Sequence, residues 1–129
     1  MKNIFKKGDT KTFTHTVMAA DVAAFENQTI HEVYSTFALA RDAEYCSRLF
    51  LLDMKEADEE GIGVSINIEH IAPAFIDDKV IFTSLFEAIS GNKITCHFEA
   101  SANNAIIAKG TTAQKIVKKE KLKLLHHRT

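Results

Sequence analysis

A single change of hydrophobic period organises this chain. From Thr36 to about Ala57, Leu39, Ala43, Cys46, Phe50 and Met54 recur at spacings of three and four, the stripe of a helix with one buried side. Beyond Gly61 the period drops to two and stays there. "VSINIEHIAPAF", "KVIFTSLFEAIS", "KITCHFEASA" and "AIIAKGTTAQKIV" alternate as half-buried strands do, with turns at Asp77-Asp78, Gly91-Asn92 and Asn103-Asn104. Ahead of the helix, "TKTFTHTVM" (10–18) alternates threonine with aromatic residues and reads as a strand. "AADVAAF" reads as a short helical turn, and the polar "ENQTIHEVYS" (26–35) as a loop. Ser35 or Thr36 caps the helix start, and "DEEGIG" ends it at Gly61. One strand, one long central helix and then a run of antiparallel strands is an α+β pattern. With one helix to cover it, the sheet is expected to curl around that helix. An uncovered face and edge remain, which predicts a homodimer and leaves open whether dimers pair into a tetramer.

The rest of the sequence mainly excludes. A chain of 129 residues is expected to form one domain, 1–129, with the lysine-rich 119–129 as a loosely ordered tail. A formal net charge of −1 argues against a general nucleic-acid partner, which needs a basic footprint. No apolar run approaches the ~20 residues that span a bilayer, so no membrane partner is expected. "MKNIFKKGDTKTF" has lysines but no apolar core behind them, unlike a secretory signal. Cys46 and Cys96 lie far apart with no CxxC spacing, as free thiols in a reducing cytoplasm do. His126 and His127 lack a third ligand, so no metal site is expected, and His97 reads as a surface-facing strand residue.

Three residues carry possible chemistry, each with a plain alternative. Glu44 sits in the helix among Ala40, Ala43, Ser47 and Leu51. Arg41 and Arg48, three before and four after, offer it an ordinary ion pair. Against the sheet, a desolvated carboxylate would instead gain a raised pKa and act as base or nucleophile. His70 ends "INIEH" between apolar neighbours, where a packed structural histidine is the commoner case. Thr36, ahead of an apolar helix, is by type a capping residue.

Together they match a family. "VYSTFALARDAEYC", then "GVSINIEHIAPAF", then "AKGTTAQKIV" resemble the fluoroacetyl-CoA thioesterase family of hotdog-fold proteins, over about Lys7 to Lys118. That family carries a threonine before the central helix, a glutamate within it and a histidine ending the next strand. Here these fall on Thr36, Glu44 and His70, at separations of 44 − 36 = 8 and 70 − 44 = 26. The resemblance implies a hotdog fold, working as a dimer with an acyl-CoA thioester at the interface beside the helix N-terminus. It implies a thioester hydrolase in which Glu44 activates water or attacks directly, His70 orients and protonates, and Thr36 hydrogen-bonds the carboxylate or substrate. Phe37, Ala38, Leu39, Arg41, Gln114 and Lys115 are then expected to bind substrate, with the amide of Ala38 or Leu39 facing the thioester oxygen. Lys118 and Lys119 are further candidates for the phosphates of coenzyme A.

Geometry adds a condition. Eight residues of continuous helix hold Thr36 and Glu44 about 12 Å apart along the axis. A site using all three residues therefore requires loop around Thr36, with the helix starting nearer Phe37 or Ala38. The chain departs from the family at Asp77-Asp78, where a glycine is common, and at Gln114, where the fluoroacetyl-CoA enzyme carries an arginine. Fluoroacetyl specificity is accordingly not expected. A small or medium acyl-CoA, or another pantetheine thioester, is the expected substrate, with coenzyme A entering as part of it and no separate cofactor. The rival readings are a non-catalytic acyl-CoA-binding hotdog protein and an enoyl-CoA hydratase, whose close aspartate–histidine pair is not found here.

Overall fold

The structure, a computed structural model of the chain, describes residues 1–25 and 28–126. Strand β1 (Thr10–Thr16) leads through a 3-10 turn (Ala19–Asp21) into β2 (Val22–Phe25) and β3 (Gln28–Tyr34). Helix α1 (Thr36–Met54) follows, then β4 (Glu59–His70), β5 (Lys79–Ser90), β6 (Lys93–Ala102), β7 (Ala105–Lys118) and α2 (Lys119–His126). Five strands form one antiparallel sheet in the order β1-β5-β6-β7-β4, curled around α1, while β2 and β3 form a separate pair. This is the expected α+β arrangement.

The period-two segments form strands because each has one face to bury. Along β5, Val80, Phe82, Ser84 and Phe86 point inward, and along β6 Ile94, Cys96, Phe98 and Ala100 do. The helical stripe meets them: Leu39, Ala43, Cys46, Phe50 and Met54 are all fully buried. Two clusters result. One gathers Leu39, Cys46, Phe82 and Phe98 around the first half of α1, and the other Phe50, Met54, Phe86 and Ile116 around its second half. Truncating a core phenylalanine such as Phe82 to alanine costs about 3–5 kcal/mol by transfer and cavity terms. The β5–β6 and β6–β7 hairpin turns fall where expected, with Gly91, Asn103 and Asn104 at positive φ. Asp77, also at positive φ, lies in the longer link between β4 and β5, which do not pair.

Five expectations need correction. The strand expected over "VSINIEHIAPAF" is β4 at Glu59–His70, five residues earlier, so 71–75 lie outside it. Most of 26–35 is strand β3 rather than loop, with Glu26 and Asn27 outside the described residues. Its pairing with β2 slips at Val22/Ala23 and again at Ala23/Ala24, which breaks the alternation that would have announced a strand. Of "AADVAAF", only Ala19–Asp21 is helical. The helix ends at Met54 with Lys55 as an extended cap, so the "DEEGIG" segment opens β4 instead of closing α1. The tail from Lys119 to His126 is helix α2.

Candidate active site

Helix α1 runs antiparallel along β4, and the contacts between them place the candidate residues. Leu51 meets Gly61, Glu44 meets Gly63, and Thr36 meets His70. The two glycines permit the close approach: a Cβ on Gly61 would lie 2.4 Å from Leu51 Cδ2, and one on Gly63 would lie 2.7 Å from Glu44 Oε2. The glutamate carboxylate thus rests directly on the strand.

A bulge decides which way the upper half of β4 faces. Gly63 pairs with Gln114 and Ser65 with Ala113, so Val64 is the extra residue. Below it the odd-numbered Gly61 and Gly63 face the helix. Above it Ile66, Ile68 and His70 do, since one inserted residue reverses the pleat. A regular ladder that ran through Val64 without a bulge would turn Glu69 inward and His70 to the opposite face.

At the top of this stack His70 Nδ1 lies 2.9 Å from Thr36 Oγ1, either atom being able to donate according to the imidazole tautomer. His70 Nε2 is hidden from solvent and has no hydrogen-bond partner among the described residues. Such an atom is available to a ligand. The helix does begin at Thr36, with Ser35 as its cap, so the expected loop around Thr36 is absent. Ser35 Oγ accepts the Ala38 N–H at 3.0 Å and the Ser35 carbonyl accepts the Leu39 N–H at 2.9 Å. The two amides expected to face a thioester oxygen are therefore committed, and both side chains are buried. The first-turn donors left over, among the described residues, are Thr36 and Phe37. Phe37 projects its ring almost wholly into solvent, at 84% exposure.

Phe37, Ala40, Arg41, Glu44 and Ile66 line a cavity of about 280 Å³ between α1 and the β4 edge. The structure thus brings Glu44 and Phe37 to one groove and pairs Thr36 with His70 at its end. It does not bring Thr36 and Glu44 together, because they stand about 12 Å apart on continuous helix.

The other candidate substrate contacts are redistributed. Gln114 is buried at 3% exposure, with Nε2 donating to the Glu44 carbonyl at 3.1 Å. Lys115, next along β7, is exposed and points away from the helix, and Lys118 is paired with Asp58 at 3.0 Å. Arg41 reaches the groove, but its guanidinium is occupied: Nη2 lies 2.9 Å from Asp21 Oδ1 and 3.0 Å from Asp42 Oδ2, and Nε lies 3.0 Å from Asp42 Oδ1. It is a matched ion pair more than a free cation for phosphate.

That guanidinium belongs to a network the sequence did not announce. Buried Tyr34 donates to Asp42, and His15 Nε2 lies 2.6 Å from Asp21 Oδ2, which also accepts the Met18 N–H at 3.0 Å. Burial pushes the Asp21 carboxyl up, yet the Met18 amide, His15 and Arg41 together hold it below its usual value. Burial and the Asp42 carboxylate push the Tyr34 phenol up, and the two carboxylates hold Arg41 firmly charged. The Asp21 carbonyl accepts the N–H of Ser35 at 2.9 Å, so the network also fixes the cap of α1. Its members come from β1, the 3-10 turn, β3 and α1, with no shared local motif to reveal them.

The model of the fluoroacetyl-CoA-specific thioesterase family matches residues 17–120. No curated protein matches the chain in sequence. A Thermus thermophilus protein described as a thioesterase superfamily member is 28% identical and superposes with a TM-score of 0.93, covering 98% of this chain and 93% of that one. A hot-dog-like protein from Thermanaerovibrio acidaminovorans is 22% identical at a TM-score of 0.87, over 96% of this chain and 93% of its own. A mutant of the fluoroacetyl-CoA-specific thioesterase FlK, solved with fluoroacetate and CoA, is 18% identical at a TM-score of 0.85, over 92% of this chain and 99% of its own. These likenesses identify the curled sheet around α1 as a hotdog fold.

Proposed function

The chain belongs to the fluoroacetyl-CoA-specific thioesterase family and is a thioester hydrolase; from that premise we propose that it hydrolyses a small or medium acyl-CoA at a site shared between two protomers. The observation that carries the reading is the hydrogen bond between Thr36 and His70 at the N-terminus of α1, with Glu44 about 12 Å further along the same helix. One protomer's Thr36–His70 pair and the other's Glu44 then serve one thioester. Exposed Ile62, Val64 and Ile66 on the β4 edge support pairing of two copies there, which sets the two helices side by side in opposite directions.

In this reading the thioester carbonyl lies against the free N–H groups of Thr36 and Phe37, which stabilise its developing oxyanion. Glu44 takes a proton from water, the water oxygen attacks the carbonyl carbon, and the carbon–sulfur bond breaks as the tetrahedral intermediate collapses. His70, oriented by Thr36, delivers a proton to the departing thiolate. Coenzyme A enters as part of the substrate, and the acyl group is not restricted to fluoroacetyl. The two buried free thiols, Cys46 and Cys96, suit a reducing compartment such as the cytoplasm.

The test is thiol release from a panel of acyl-CoA esters by the wild type and by Glu44→Gln. Turnover of at least one ester, falling by about two decades or more in the variant while its fold is retained, is the expected result. Equal turnover in both proteins removes Glu44 from the mechanism, and no thiol release from any ester overturns the substrate class. In ¹⁸O-water, a single turnover leaves label in the product acid and none in Glu44; label in Glu44 reassigns it as the nucleophile.

A further inference from the structure

Gln114 uses its donor in an uncommon place. The Glu44 carbonyl lies in mid-helix, where the helix's own ladder already supplies a donor. A carbonyl has room for a second bond, and Gln114 Nε2 fills it at 3.1 Å from across the sheet. The side chain is 3% exposed, so it holds this position without competition from solvent. Its ladder partner on β4 is Gly63, the residue against which the Glu44 carboxylate rests. One rung of the sheet therefore grips the helix backbone at residue 44 with one strand and receives that residue's carboxylate with the next. Gln114 Oε1, also buried, has no partner among the described residues.

We infer that Gln114 is a positioning residue for the thioesterase reaction: its Nε2, held on the Glu44 carbonyl, sets where the Glu44 carboxylate lies over Gly63. The inference rests on the proposed role of Glu44. It assigns Gln114 no contact with the acyl-CoA.

Two substitutions test it on an ester that the wild type hydrolyses. Gln114→Glu keeps the shape but, when ionised, replaces the donor by a second acceptor facing the Glu44 carbonyl. A neutral carboxyl restores an O–H donor and a C=O acceptor in the same place. At neutral pH kcat is expected to fall about 10- to 100-fold with KM held within about twofold. Lowering the pH should then raise kcat relative to the wild type at the same pH, a recovery that a merely structural defect does not produce. Gln114→Leu, which fills the space and has neither group, should lose as much kcat and show no recovery, and it carries the test if Gln114→Glu does not fold. Ile116→Val, a buried change on the same strand, should leave kcat in place. A raised KM with kcat retained makes Gln114 a substrate contact and overturns the inference. So does wild-type kcat in both Gln114 variants while Glu44→Gln is inactive, a result that leaves the thioesterase reading standing. Wild-type kcat in Glu44→Gln overturns the site reading and this inference together.

Discussion

The two edges of the main sheet are built for opposite fates. β1 is seven residues long and shows solvent Thr12, Thr14 and Thr16, while Phe13 and His15 turn inward. Lys11 on the same strand is tied back to Asp53 of α1 at 2.6 Å. β4 is twelve residues long and leaves Ile62, Val64 and Ile66 exposed at 36%, 45% and 38%. A short polar edge discourages another strand, and a long apolar one invites it. The candidate catalytic residues lie along the long apolar edge, where the proposed protomer contact falls.

The largest effect expected from this contrast is at Ile66. Ile66→Asp places a charge in the proposed protomer contact and should halve the mass seen by analytical ultracentrifugation and reduce turnover about 100-fold or more. A dimer with full activity would place the contact elsewhere. Subunit mixing sharpens the same point. Glu44→Gln and His70→Ala, each inactive alone, should regain up to about a quarter of wild-type turnover when unfolded and refolded together, because half of the random pairs are heterodimers and each holds one intact site. No recovery means that each site draws on a single chain.

On the β1 side the expected effects are on stability. Asp21→Asn keeps the shape of the carboxylate that links His15, Arg41 and the Met18 amide but removes its charge, at a cost of about 1.5–3 kcal/mol in urea unfolding at pH 7. The folded pKa of Asp21 lies below its ordinary 3.8, so its ionised contribution is whole above that value and is lost as pH falls through the lowered one. The gap between the two proteins should therefore narrow under strongly acidic conditions. A constant gap would assign the cost to packing. The smallest effect is Thr14→Lys on the exposed face of β1, expected to change stability by less than about 0.5 kcal/mol and to leave mass and turnover alone. A change of assembly there would make β1 the interface instead.

The parts of this fold legible in the sequence are those with a local period. The buried stripe of α1 is legible residue for residue, as are β5, β6 and, to within one residue, β7 with the hairpin turns between them, because each needs only its own neighbours to state its pattern. Strand β4, by contrast, lies five residues before the segment expected. Strand β3 escaped notice because its partner slips twice, leaving it no regular face. Ser35 and Thr36 are equally good caps by composition, and only the backbone decides that Ser35 is the one. The network of His15, Asp21, Tyr34, Arg41 and Asp42 draws on four elements, so no window along the chain contains it. Thr36, Glu44 and His70 are each legible as candidates but are joined into one site by family resemblance alone, and His70's inward aim depends on pairing with β7.

That dependence has a consequence for how such a chain changes by descent. Loss of the Val64 codon deletes one side chain that faces neither helix nor core, and spares every residue with a chemical role. It also removes the bulge, so that Gly63 and Ser65 become consecutive rungs opposite Gln114 and Ala113, and Ile66, Ile68 and His70 keep their inward aim. For this segment length is inherited more loosely than identity: the strand can lose that codon, or regain it as a bulge, in one event without taking the histidine from the threonine.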